Sequence, residues 1–293
     1  DLVVVLSHLG FPQEVKLAKE VEGIDILLSG HTHNRLRRPT IVNKTIIFQS
    51  GCHGSFLGRL DLKIYEGQIV SFSHDLITID ESIKPDPEIS DMIDNWMKPH
   101  RKMLSQVMGF TETPLHRYRV LESTMDTFLL KALIHKTGAQ MAFSNGWRYG
   151  VPIVPGKITK NDLWNIIPVD PPVQTCKLTG AELWSMMEKN LERTFSSDPY
   201  QQMGGYVKRC SGLSLYFKIE NAKNERIQEL FVGDERVDFE KEYDVCFVTS
   251  QGVREEYGTE RAKLDISAID ALEVYLQDMK TVNIRLENTI NAI

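Results

Sequence analysis

The chain opens on an unbroken apolar run, Leu2-Val3-Val4-Val5-Leu6, rich in β-branched residues and too short for an ordinary helix, so it reads as a strand. Residues 12–21 follow with Val15, Leu17, Ala18 and Val21 on a helical face, and residues 24–28 form a second apolar strand. Further strands are predicted over residues 45–49, 56–64 and 70–79. From residue 88 the rhythm changes. Ile89, Met92, Ile93, Trp96 and Met97, then Met103, Leu104, Val107 and Met108, keep an i, i+3/i+4 spacing, which predicts one helix with a buried stripe, kinked at Pro99 and ended by Gly109. A helix N-capped by Ser123 or Thr124 runs to His135 with Gly138 as its C-cap, and Met141-Ala142-Phe143 is a short strand. Helices open at residues 158–162 and 179–182, strands cover 213–219, 227–232 and 243–248, and a last helix lies near 266–278. Trp164 and Trp184 sit at helical spacing among apolar neighbours and are assigned to the core. The first part is α/β in character. The second mixes helices and strands without strict alternation and is α+β.

Composition narrows this picture. A length of 293 residues suggests about two domains, and 42% hydrophobic with 25% charged residues is ordinary for a globular chain. The net charge of −6 argues against a nucleic-acid polymer as partner. The apolar runs are far shorter than a membrane span, so no transmembrane segment is expected. Cys52, Cys176, Cys210 and Cys246 are scattered, without the pairing of a zinc ribbon or a dense disulfide framework. The chain begins at Asp1, directly before a strand and without a cap or initiator Met, and is read as a piece of a longer protein.

The candidate chemistry sits where the first two strands end. One runs into Ser7-His8-Leu9-Gly10, the other into Ser29-Gly30-His31-Thr32-His33-Asn34. An extended His-x-His sends both rings to one side, so His8, His31 and His33 are read as ligands of one cation or a close pair. His53 is read as a loop residue. In the second half, Ser144-Asn145-Gly146-Trp147-Arg148 follows a strand, and the Arg148 guanidinium can fork onto phosphate or sulfate oxygens. Arg209 and Gln201-Gln202 are expected to line the same cleft, whereas Asp126 is assigned only to complementing its helix dipole.

Taken with Gly58-Arg59-Leu60-Asp61, the two histidine motifs resemble the second half of a calcineurin-like metallophosphatase domain. The Pro85-Asp86-Pro87 linker and Thr111-Glu112-Thr113-Pro114-Leu115 resemble the junction in the 5′-nucleotidase family. The Ser144 to Arg148 run and Pro155-Gly156-Lys157-Ile158-Thr159 resemble that family's C-terminal substrate domain. The resemblance implies a partial α/β metallophosphatase, half of a four-layer sandwich, over residues 1–83, then a linker helix over 84–110. An α+β 5′-nucleotidase C-terminal-type domain follows over 111–293. It implies two divalent metal ions (Mn, Zn or Fe), with His8 and His31 on one and His33 on the other. A small anionic substrate, a phosphate or sulfate ester, is held across the interdomain cleft by Arg148 with Asn145, Gly146, Gln202 and Arg209. The implied reaction is hydrolysis of phosphate monoesters, and the implied compartment is periplasmic or extracellular.

Departures from the family pattern shape the rest of the expectation. The family's Asp-x-His and Gly-Asn-His motifs are absent, so the bridging carboxylate and the catalytic residues are expected in a missing N-terminal segment. Residues 1–293 alone are then expected to bind but not to turn over. Where nucleotidases stack a base between two aromatics, this chain has Val169 and the Thr249-Ser250-Gln251-Gly252 stretch. Residues 198–205 and Arg209-Cys210-Ser211-Gly212-Leu213 are similar to the sulfur-oxidation thiosulfohydrolases. Those enzymes share the fold and a dimanganese centre, and they remove sulfate from a cysteine-linked sulfane carrier. A sulfate ester or thioester therefore stands open beside the phosphate ester.

Overall fold

Residues 1–146, 150–204 and 206–293 are described by the structure, a computed structural model. Two compact units divide the chain. The first comprises residues 1–93 with 196–205, the second residues 94–195 with 206–293.

In the first unit, strand β1 (Val4–Ser7) leads through helix α1 (Phe11–Glu20) to β2 (Ile26–Ser29), β3 (Thr40–Val42) and β4 (Thr45–Phe48). The sheet order is β1-β2-β4-β3, with β1, β2 and β4 parallel and β3 antiparallel at the far edge. Leu27, Ile47, Val42 and Ala18 form its buried core, because α1 lays Val15 and Ala18 on one face of the sheet. A long hairpin of β5 (Phe56–Tyr65) and β6 (Gln68–Thr78) completes this stretch of chain. Residues 198–202 pack onto α1. Lys16 pairs with Asp198 at 2.7 Å, Tyr200 donates to Glu20, and Gln13 donates to the Gln202 carbonyl.

The predicted long helix is two helices and a strand. Helix α2 (Pro87–Met97) stops before Pro99, which has no N–H to continue the ladder, and one turn, α3 (Arg101–Leu104), follows. Residues Val107–Thr111 are β7, not helix. Gly109 lies inside that strand because a side chain there would meet Leu276 Cδ2 at 2.9 Å and the Lys280 carbonyl at 3.0 Å. The expected buried stripe is exposed at Ile89, Met92 and Ile93, and Trp96 is 79% exposed.

In the second unit, α4 (Thr124–Thr137) precedes β8 (Met141–Ser144), β9 (Gly156–Thr159), α5 (Lys160–Ile166), β10 (Pro172–Thr179) and α6 (Gly180–Phe195). The chain continues through β11 (Arg209–Ser211), β12 (Leu213–Phe217), β13 (Ile227–Val232), β14 (Glu235–Arg236) and β15 (Glu242–Val248). It ends with α7 (Thr249–Gly252), β16 (Thr259–Ser267), α8 (Ala268–Met279), β17 (Thr281–Val282) and β18 (Ile290–Ala292). Among the described residues the central sheet runs β11-β8-β15-β10-β16, flanked by smaller sheets β14-β13-β12-β18 and β17-β7-β9. Successive residues of β8 and β15 feed opposite cores. Ala142, Cys246 and Val248 join the cluster under α4 and α8, while Met141, Phe143, Val245 and Phe247 join that under α6. A sheet covered on both faces explains why these strands read as continuous apolar runs. Trp164 and Trp184 pack against the two cores as expected.

Candidate metal centre and substrate face

In the first unit, His8 and His31 stand at the carboxyl ends of two parallel neighbours, β1 and β2, where an α/β sheet presents ligands. Their ring centroids lie 5.0 Å apart, edge to face. Glycines make this approach possible. A Cβ at Gly30 would come within 3.0 Å of His8 Nδ1 and 3.3 Å of the Ser7 carbonyl, and one at Gly10 within 2.8 Å of Thr32 Cγ2. The loop is not the extended His-x-His of the sequence reading. His31 has φ 67° and His33 φ 57°, both left-handed, a conformation unusual for non-glycine residues and concentrated at functional sites. The consequence is that the two rings face different neighbours: His31 meets His8, and His33 meets His53 at a centroid distance of 5.8 Å.

A buried polar scaffold under the loop holds this geometry. Glu14, fully buried on α1, accepts from the Gly10 amide at 3.3 Å and from the Ser29 hydroxyl. Gln49, also buried, donates to Ser29 Oγ at 2.8 Å and to the Gly30 carbonyl, and its Oε1 accepts from the Asn34 amide. Thr32 Oγ1 accepts from the Phe11 amide at 3.0 Å. Sequence reading missed Glu14 and Gln49. The available signal was a carboxylate on the apolar face of α1 and an amide directly after the apolar run Ile46-Ile47-Phe48. Imidazoles brought together by glycine cradles, with polar groups locking their loop, fit a divalent transition-metal ion.

In the second unit, Asn145 follows β8 and Thr249–Gly252 follows its parallel neighbour β15, so both loops emerge at the same edge of the sheet. Asn145 Nδ2 donates to Gln251 Oε1 at 2.6 Å, and its buried Oδ1 has no hydrogen-bond partner among the described residues. Lys208 binds the Gln251 and Gly252 carbonyls at 2.5 and 2.6 Å, and burial pushes its ammonium down to about 8. Gly146 must be glycine, since a Cβ there would lie 2.7 Å from Arg209 Nε. Arg148 itself lies outside the described residues. Arg209 does not face solvent. It is 2% exposed, paired with Asp126 at 3.1 Å and donating to the Val120 and Arg119 carbonyls, so it supports the Gly146 loop from beneath. Burial lowers its pKa against the favourable Asp126 charge.

Asp126, assigned from sequence to a helix dipole, is a buried anion between Arg209 and Arg117, the latter at 2.8 Å, with the Ser123 hydroxyl at 2.5 Å. Gln202 belongs to the first unit, where its side chain donates to the Ser196 carbonyl at 2.7 Å. Val169 is 69% exposed, and no aromatic occupies α7.

Residues 105–250 match the family described as 5′-nucleotidase, C-terminal domain. The chain is 26% identical over 242 residues to the trifunctional nucleotide phosphoesterase protein YfkN of Bacillus subtilis (strain 168), covering 78% of this chain and 16% of that protein. It is 23% identical over 266 residues to the 5′-nucleotidase of Homo sapiens, covering 78% and 45% respectively. Among solved structures, the Thermus thermophilus sulfate thiohydrolase SoxB in complex with glycerol superimposes with a TM-score of 0.91 at 29% identity. That match covers all of this chain and 54% of the other. A 5′-nucleotidase precursor, also from Thermus thermophilus, shares the fold, with a TM-score of 0.86 at 22% identity over 100% of this chain and 64% of that one. The chain thus spans less than two thirds of each of these proteins.

Proposed function

Because residues 105–250 match the 5′-nucleotidase C-terminal domain, we propose that the whole protein is a divalent-metal-dependent hydrolase of phosphate monoesters, with the 1–83 segment as the second half of its metallophosphatase domain. The observation that carries this reading is the pair of imidazoles, His8 and His31, 5.0 Å apart at the ends of parallel strands with His33 in the same loop. His8 and His31 would hold one divalent metal and His33 the other (Mn, Zn or Fe), and the metals when bound supply Lewis-acid activation of water and neutralise charge on the ester. Gln49 and Glu14 fix the loop that carries the imidazoles. In the second unit Arg148 grips the anionic group bidentately, and Asn145 offers its Oδ1 to a donor on the substrate. The remaining carboxylate ligands come from another part of the whole protein, since no Asp-x-His or Gly-Asn-His occurs in this chain. The exposed Val4 and Leu6 on edge strand β1, with Val3 just before it, support the presence of further chain covering it.

A sulfate-ester substrate is the second reading. It is favoured by the likeness to the sulfate thiohydrolase and by exposed Val169 where a nucleotidase would carry an aromatic. Turnover of the whole protein with manganese or zinc on p-nitrophenyl phosphate, AMP and a cysteine-linked thiosulfonate separates the two. A phosphatase is expected to lose about 100-fold in kcat/KM in His8→Ala and to show a raised KM in Arg148→Ala. Residues 1–293 alone are expected to show no turnover. Absence of hydrolysis on every substrate, or variants that match the wild type, overturns the proposal.

A further inference from the structure

His33, Cys52 and His53 each offer one donor atom, and the three atoms lie within 4.8 Å of one another. Chain pairing brings them together rather than sequence proximity. Arg35 bridges Ser50 in antiparallel fashion and the Gly51 amide donates to the Asn34 carbonyl at 3.0 Å, which lays the 50–55 turn beside the histidine loop. The Ser55 amide closes that turn on the Cys52 carbonyl at 3.1 Å. His53, at φ 59°, matches the left-handed backbone of His33. A tetrahedral zinc with bonds of about 2.0–2.3 Å places its donors roughly 3.3–3.8 Å apart, so about 1 Å of side-chain rotation closes the set.

We propose that His33, Cys52 and His53 form a thiolate–imidazole cation site that selects zinc, distinct from the His8/His31 pair. Two nitrogens and one sulfur are a soft donor set, which favours zinc over manganese and leaves a fourth coordination position open. Binding takes Cys52 as the thiolate and releases one proton to solvent. The sequence alone reads His53 as a loop residue and gives Cys52 no role. The inference shares His33 with the hydrolase reading, but it is read out by cation binding alone, so the two can fail separately.

The test is a cobalt(II) titration of residues 1–293, followed by displacement with zinc. A thiolate bound to cobalt gives an intense near-ultraviolet charge-transfer band. Cys176, Cys210 and Cys246 are buried, and burial pushes their thiols up to about 11, 12 and 11, so such a band reports Cys52. The expected result is a band that zinc abolishes, that Cys52→Ser removes, that His53→Ala shifts to about tenfold higher cobalt, and that His8→Ala retains. In the unmodified chain, zinc is also expected to protect Cys52 from iodoacetamide, as read by mass spectrometry. A folded wild type with no band and no zinc protection, a band surviving Cys52→Ser, or a band lost in His8→Ala overturns the proposal. If the band appears while the whole protein hydrolyses nothing, the hydrolase reading alone has failed.

Discussion

Gln49 ties Ser29, Gly30 and Asn34 together through a single buried amide, so it controls the histidine loop without touching a ligand itself. Such groups beneath a metal site typically tune affinity about 10–100-fold. Gln49→Leu is expected to weaken zinc or manganese binding by that order in calorimetric titration, while the circular dichroism spectrum is retained. Asp126 is a different kind of residue. It neutralises Arg117 and Arg209 in a buried pocket, and removing one partner of a buried ion cluster costs about 3–5 kcal/mol because the remaining charges are stranded. Asp126→Ala is expected to lower stability by that amount in urea denaturation. A loss under about 1 kcal/mol would mean that water reaches the cluster. Neither residue announced its role in the sequence. A carboxylate in the first turn of a helix is ordinary, and only the fold brings two arginines to it.

At the scale of elements, local chemistry was largely readable. Ser123 accepts from the Asp126 amide at 3.4 Å, Gly138 closes α4 at φ 69°, and Thr159 with Asp162 forms a full capping box on α5. A second box, Ser267 with Asp270, starts α8, whose face packs into the core beneath β8 and β15. Ser267→Ala is expected to cost about 1 kcal/mol, measured as a shift in the urea midpoint with unchanged slope. The long-helix expectation failed at the same scale. Val107 and Met108 continue the helical spacing past Pro99, yet the Val107–Thr111 segment pairs with β9 and β17, and a sheet ladder outweighs a spacing that several conformations satisfy.

On the scale of the whole molecule, each unit keeps a polar anchor that registers pH. Lys208 is buried in the second unit, and its pKa falls from the ordinary lysine value of 10.5 to about 8. Between about pH 8 and 10.5 the unfolded chain therefore binds a proton that the native state has released, and native stability rises with pH across that window. The difference in stability between the wild type and Lys208→Met is expected to move in favour of the wild type by a few kcal/mol from pH 8 to 10.5, measured by denaturation at each pH. In the first unit Lys16 holds the Asp198 carboxyl below its usual range by hydrogen bonding. The contribution of this exposed ion pair is accordingly present above the ordinary carboxylate range and lost as pH falls through the depressed Asp198 value, while the Tyr200–Glu20 and Gln13–Gln202 hydrogen bonds also hold the segment on α1.

Alternation, caps, glycines and histidine placement are short-range properties, and the chain carries them in its own spacing. They were enough for β1 and β2 leading into histidine loops, for α4, α5 and α6, and for an α/β part followed by an α+β part. Only the tertiary structure decided that His33 turns toward Cys52 and His53 while His31 meets His8, that Arg209 lies buried on Asp126, and that residues 198–202 pack with the first unit. The reason is physical. These outcomes depend on backbone angles at two left-handed histidines and on contacts between segments as far as 189 residues apart, such as Gln13 with Gln202, which no local pattern encodes.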